Sequence, residues 1–198
     1  MSEFVDNKEP YEEYRTRLSA VIATTRDYMT KGDYPFSSGH EGFAVMRKHV
    51  DNLWTIVKNN DGASGMALRV ALTVVASSVC YMVHVSDEHW SLQAREFTRE
   101  EKVDHVLAAI EAELLKARTK FPPFNSAEEG FAVLLEEFDE LWDDIKANKD
   151  RSDAAYHEAK QVGAMAVSYL LDCVGVKPAV KKETVVTANP GQIEAEAS

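Results

Sequence analysis

Five residues in the second half of the chain have the types and spacing of a cation site: Glu136, Glu137, Glu140, Glu158 and Gln161. Glu137 and Glu140 stand three apart, which on a helix places them on one face. Seventeen residues intervene before Glu158 and, again three apart, Gln161. Two such helices packed antiparallel would bring Glu137, Glu140, Glu158 and Gln161 together. Oxygen donors of this kind suit a hard divalent cation, Mg²⁺ or Mn²⁺, which keeps several waters or takes phosphate oxygens. Three neighbouring carboxylates also repel one another, so the arrangement is costly without a cation or a proton. The same spacing occurs on the ordinary solvated face of an amphipathic helix, so the elements that carry these residues decide what they mean.

Those elements occur twice. Pro35-Phe36-Ser37-Ser38-Gly39-His40-Glu41-Gly42-Phe43-Ala44-Val45 returns 88 residues later as Pro123-Phe124-Asn125-Ser126-Ala127-Glu128-Glu129-Gly130-Phe131-Ala132-Val133. With no gap, 24 of the 73 positions of 11–83 are identical to those of 99–171. Two copies are too few for a solenoid and read instead as a fused dimer. The charge is unequally shared: residues 10–85 carry a net of +1 and residues 98–173 a net of −8. In the first copy Lys48, His49, Asn52, Val70 and Thr73 stand where the second has Glu136, Glu137, Glu140, Glu158 and Gln161. A metal site of this type is therefore expected only in the second repeat.

Each repeat reads as three helices, giving an all-α fold of two three-helix repeats packed as a pseudo-dimeric six-helix bundle. The first helices are expected near 11–28 and 100–118, where apolar residues recur at helical spacing. Ser38-x-x-Glu41 and Ser126-x-x-Glu129 predict capping boxes opening the second helices, near 39–59 and 127–147. Val70–Val83 is rich in β-branched residues and ambiguous alone, but its ungapped match to Glu158–Leu171 assigns it as helix. In the last helix Ala159, Gly163, Ala166 and Leu170 form a narrow side suited to close packing. The organisation expected is an N-terminal segment 1–10, a first repeat 11–85, a connector 86–98, a second repeat 99–175 and a tail 176–198.

The run Glu136-Glu137-x-x-Glu140, the interval, then Glu158-x-x-Gln161 resembles the motif of the all-α nucleotide pyrophosphohydrolases, the MazG-like and dimeric dUTPase-like superfamily. The likeness covers the second repeat best, about residues 99–173. It implies a helical bundle whose carboxylates hold Mg²⁺, which in turn holds a nucleoside triphosphate for hydrolysis to the monophosphate and pyrophosphate. It also implies a dimeric packing that the duplication would mimic in one chain. Carried over residue by residue, Glu137, Glu140 and Glu158 are the expected metal ligands. Glu136 and Glu137 are the expected catalytic carboxylates, with Glu136 supporting the metal ligands from outside or helping to orient the attacking water. Gln161 stands where the family carries Asp, so one anionic ligand becomes a neutral amide whose oxygen can still coordinate. The departure keeps open a second reading, a nucleotide- or protein-binding or assembly module that retains the fold without the chemistry.

Other features bound the partners. Lys146, Lys149 and Arg151 follow the acidic helix and are candidates to meet phosphates. Trp54 and Trp142 recur on the apolar stripe and read as core. A net charge of −11 argues against nonspecific nucleic-acid binding. The apolar stretch Val70–Val85, interrupted by Thr73, Ser77, Ser78 and His84, reads as falling short of a membrane span. Cys80 and Cys173 are not repeat-equivalent and fit a reducing, cytoplasmic setting as unpaired thiols. Further oligomerisation is compatible with all of this.

Overall fold

The computed structural model of the chain describes residues 11–30, 36–91, 96–147 and 149–175. They form six helices: α1 Tyr11–Thr30, α2 Gly39–Val57, α3 Gly65–Ser91, α4 Arg99–Arg118, α5 Ala127–Lys146 and α6 Asp153–Asp172. No strand occurs among the described residues. The helices of the second repeat begin 88 residues after their counterparts, at Arg99 against Tyr11, Ala127 against Gly39 and Asp153 against Gly65. The expected N-terminal segment and tail lie outside the described residues.

Local chemistry fixes these starts. Ser38 Oγ accepts from the Glu41 amide at 3.2 Å, and Ser126 Oγ accepts from the Glu129 amide at 3.1 Å. The glutamates reach one residue past the cap, to the amides of Ser37 (2.7 Å) and Asn125 (2.6 Å), so the predicted boxes are extended by one position. A full capping box forms instead at Thr98 and Glu101, a pair the sequence reading passed over. The third helices begin five residues earlier than their apolar runs, because Ser64 and Ser152 cap them through the amides of Ala67 and Ala155. α3 also runs on to Ser91, so the first part of the expected connector is helix.

The two repeats exchange contacts reciprocally. Tyr81 donates to the Asp150 carbonyl at 3.0 Å, and its counterpart Tyr169 donates to the Gly62 carbonyl, the position equivalent to Asp150, at 2.7 Å. Phe43 stacks on Trp142 with ring centres 4.6 Å apart, and Trp54 on Phe131 at 5.0 Å. A surface in which i meets j and j meets i is isologous, the signature of a twofold-related pair. Trp54 nonetheless departs from its expected place in the core. It is 42% exposed and covers the rim of this seam with one face of its ring.

The centre of the bundle is α3 against α6, which run antiparallel, with α2 and α5 packed on their own repeat's third helix. The small side of α6 works as expected: Ala159, Gly163, Ala166 and Leu170 are all buried. Ser78 donates its hydroxyl to the Ala159 carbonyl. A Cβ on Gly163 would lie 2.7 Å from Ile110 Cδ1 and 2.9 Å from Ser78 Oγ. Gly163→Ala should therefore cost about 1–3 kcal/mol by overpacking, read as a lowered thermal midpoint. An unchanged midpoint would mean that α6 is not closely packed against α3 and α4 there.

The reading of α3 as too short to span a membrane needs correction. Gly65–Ser86, 22 residues that contain an 18-residue window of mean hydropathy 1.8, is long and apolar enough by length and composition. Of that window 61% is buried within the bundle, where α2 and α6 cover it.

Candidate metal centre and its groove

α5 and α6 deliver the acidic residues to one place. α5 buries Phe131, Leu134, Phe138, Leu141 and Ile145. That leaves Glu137 and Glu140 at the edge of the apolar stripe, facing α6. One carboxylate oxygen from each of Glu137, Glu140 and Glu158 lies within 4.8 Å of the others. Gln161 joins them, its Nε2 donating to Glu137 Oε2 at 2.9 Å. The four positions expected to share a site are thus adjacent, and Glu136 is exposed beside them.

The cluster is electrostatically uncomfortable. Burial, then the charges of Glu140, Glu158, Glu136 and Glu113, push the Glu137 carboxyl up to about 7. Burial also raises Glu158, helped by Glu140 and opposed by His157. Glu158 Oε2 is buried without a hydrogen-bond partner among the described residues. Behind the cluster burial works against the charge of Glu113, but Lys160 at 2.8 Å and Lys116 at 3.2 Å outweigh it and hold that carboxyl below its ordinary range. Glu113 is therefore already paired, while among the described residues no such cation pairs with Glu137, Glu140 or Glu158. This donor set fits a hard divalent ion: all oxygen, three carboxylates on two rigid helices, one oxygen with no protein partner.

A groove of about 520 Å³ opens beside the cluster between α4, α5 and α6. Glu136, Glu137, Glu140 and Gln161 line its acidic end. At the other end lie Arg118, Ser168, Phe121 and Phe124. Arg118 is held from all sides. Nε donates to Tyr14 Oη at 3.2 Å, Nη1 to the Pro122 carbonyl at 3.1 Å, and Nη2 to Ser168 Oγ at 2.7 Å and to Asp172. Asp172 in turn accepts from Ser168 Oγ and from the Phe124 amide, both at 3.1 Å.

Lys146, Lys149 and Arg151 do not line this groove. Lys146 pairs with Asp143 at 2.6 Å and sits over the Trp142 ring, while Arg151 approaches His84 Nε2 at 3.5 Å. The basic residue the groove does contain, Arg118, escaped the sequence reading. A signal existed: Arg118, Ser168 and Asp172 replace Thr30, Cys80 and His84 of the first copy together.

The equivalent place in the first repeat is much smaller. Phe36, Val45, His49, Thr73 and Cys80, each 88 residues before a residue lining the groove, surround a cavity of about 40 Å³. His49 occupies the place of Glu137, and burial, then Lys48, lowers its pKa, favouring the neutral ring. The fold is therefore that of a duplicated helical bundle with an acidic groove in its second repeat. No protein-family model, curated protein or solved structure matches the chain.

Proposed function

We propose that this protein is a MazG-like, Mg²⁺-dependent nucleoside triphosphate pyrophosphohydrolase with one site, in the second repeat. The observation that carries the reading is the convergence of Glu137, Glu140 and Glu158 within 4.8 Å at the end of a groove of nucleotide size. In this reading Glu137, Glu140 and Glu158 hold Mg²⁺ or Mn²⁺, and Gln161 offers its amide oxygen. A bound cation would offset the triphosphate charge and acidify an attacking water. Glu136, exposed at the mouth, orients that water and accepts its proton. Lys160 and Lys116 pair with Glu113 and so leave the cation to Glu137, Glu140 and Glu158. Two cysteines not joined in a disulfide and the acidic balance are in keeping with a cytoplasmic setting.

A screen of ordinary ribo- and deoxyribonucleoside triphosphates with Mg²⁺ or Mn²⁺, reading pyrophosphate release, tests this. At least one should be turned over, and Glu136→Gln should reduce the rate by about 10²-fold or more. Release of orthophosphate alone, or none from any nucleotide, would remove the reading.

A second reading is a binding module that has lost turnover. The Gln161 amide favours it, since its N–H already occupies a Glu137 oxygen that a cation would need. Nucleotide binding with Mg²⁺ but no pyrophosphate would select that alternative.

A further inference from the structure

The far end of the groove has a chemistry of its own. Arg118 and Asp172 are 15% and 5% exposed and directly paired, so the guanidinium enters the groove with its charge neutralised. A free anion is poorly served there, since the other acidic or basic side chains on the walls are Glu129, Glu136, Glu137 and Glu140. What remains is geometry. Four of the five guanidinium N–H groups are committed to Tyr14, Pro122, Ser168 and Asp172, leaving one N–H on Nη1 without a partner among the described residues. Its orientation is fixed by the other four. Around it stand apolar and aromatic walls, with Phe121 at the rim 66% exposed. Gln161 and Ser168 mark the two ends of the groove along α6, roughly 10 Å apart at the helical rise. That matches the reach of a nucleoside triphosphate from its phosphates to its base.

We propose that Arg118 reads the base, and that the groove takes nucleoside triphosphates with keto bases, guanine or uracil and thymine, in preference to adenine or cytosine. This rests on the nucleotide reading above. A fixed donor set against the exocyclic position of the base meets guanine O6 or uracil and thymine O4 with a hydrogen bond, whereas the N6 amino group of adenine or the N4 amino group of cytosine in the same place sets donor against donor and leaves both unsatisfied. Phe121 supplies a face for the ring and does not distinguish between bases.

Calorimetric titration of the full chain with Mg²⁺ and the α,β-imido analogues of GTP, UTP, ATP and CTP tests the proposal without turnover. GTP and UTP analogues should bind about tenfold more tightly than the other two, the equivalent of one hydrogen bond. Phe121→Ala should weaken all four alike and keep the ratio. Arg118→Met with Asp172→Asn removes both charges of the pair and should bring the ratio to about one. Equal affinities in the native chain, an unaffected Phe121→Ala, or a preference that survives the double variant would each overturn the proposal. If the double variant does not fold, the native comparison and Phe121→Ala decide. Keto-selective binding without pyrophosphate release from the parent nucleotides would sink hydrolysis and leave this inference standing. No binding of any analogue would sink both.

Discussion

Glu137→Gln combined with Glu140→Gln should stabilise the protein in chelator and abolish its response to Mg²⁺. The Glu137 carboxyl titrates near 7 in the fold but at the ordinary 4.5 when unfolded. Below the lower value both states are protonated and nothing is lost. Between the two, the unfolded chain releases a proton that the folded one keeps, so stability falls as pH rises. Above 7 the full penalty is present, on the order of 2 kcal/mol once solvent screening of a half-buried group is allowed for. This slope is opposite to that of a salt-bridged carboxylate. A divalent cation should flatten it, because the metal takes the ionised form and releases protons below neutrality. Thermal midpoints from pH 5 to 8, in chelator and in Mg²⁺, should diverge for the native chain and coincide for the double variant. Undiminished Mg²⁺ stabilisation in that variant would show that the acidic residues do not bind the ion.

Gln161→Asp should have the reverse effect. The native amide donates to Glu137 Oε2 at 2.9 Å and so relieves part of the repulsion in the metal-free cluster. Aspartate removes that donor and adds a fourth negative charge beside Glu137 and Glu158. In chelator the variant should lose about 1–3 kcal/mol. In saturating Mg²⁺ the loss should be recovered or exceeded, since a fourth carboxylate raises the attraction for the ion. The gap between midpoints in chelator and Mg²⁺ should widen, by the linkage between binding and folding. If that gap stays at the native value, the four positions do not share one cation.

How far the residues alone reach is clearest where the two copies are compared. The 88-residue offset assigned α3 as helix despite its β-branched run, and the structure has a helix there from Gly65 to Ser91. The adjacency of Glu137, Glu140, Glu158 and Gln161 also followed from spacing, because intervals of three and a short loop leave antiparallel helices little freedom. The helix starts were missed where caps, not apolar periodicity, set them, as at Ser64 and Ser152. Trp54 was misplaced because periodicity tells which stripe a residue belongs to, not how much of a large ring overhangs the seam. Arg118 was invisible for a different reason. It belongs to α4, near neither acidic run in sequence, and its partners Tyr14, Ser168 and Asp172 come from the opposite ends of the chain.

The reciprocal pair of tyrosine contacts, Tyr81 to Asp150 and Tyr169 to Gly62, has a further consequence. In a two-subunit bundle such contacts would be lost on dilution, and occupancy of each groove would depend on assembly. Here the partner surfaces are tethered, so each meets the other at an effective concentration set by the short connector. Unfolding of this chain should therefore be unimolecular, with a midpoint indifferent to protein concentration. The same tether frees the halves from having identical grooves: the first can be small around Phe36 and His49 while the second stays large around Glu137.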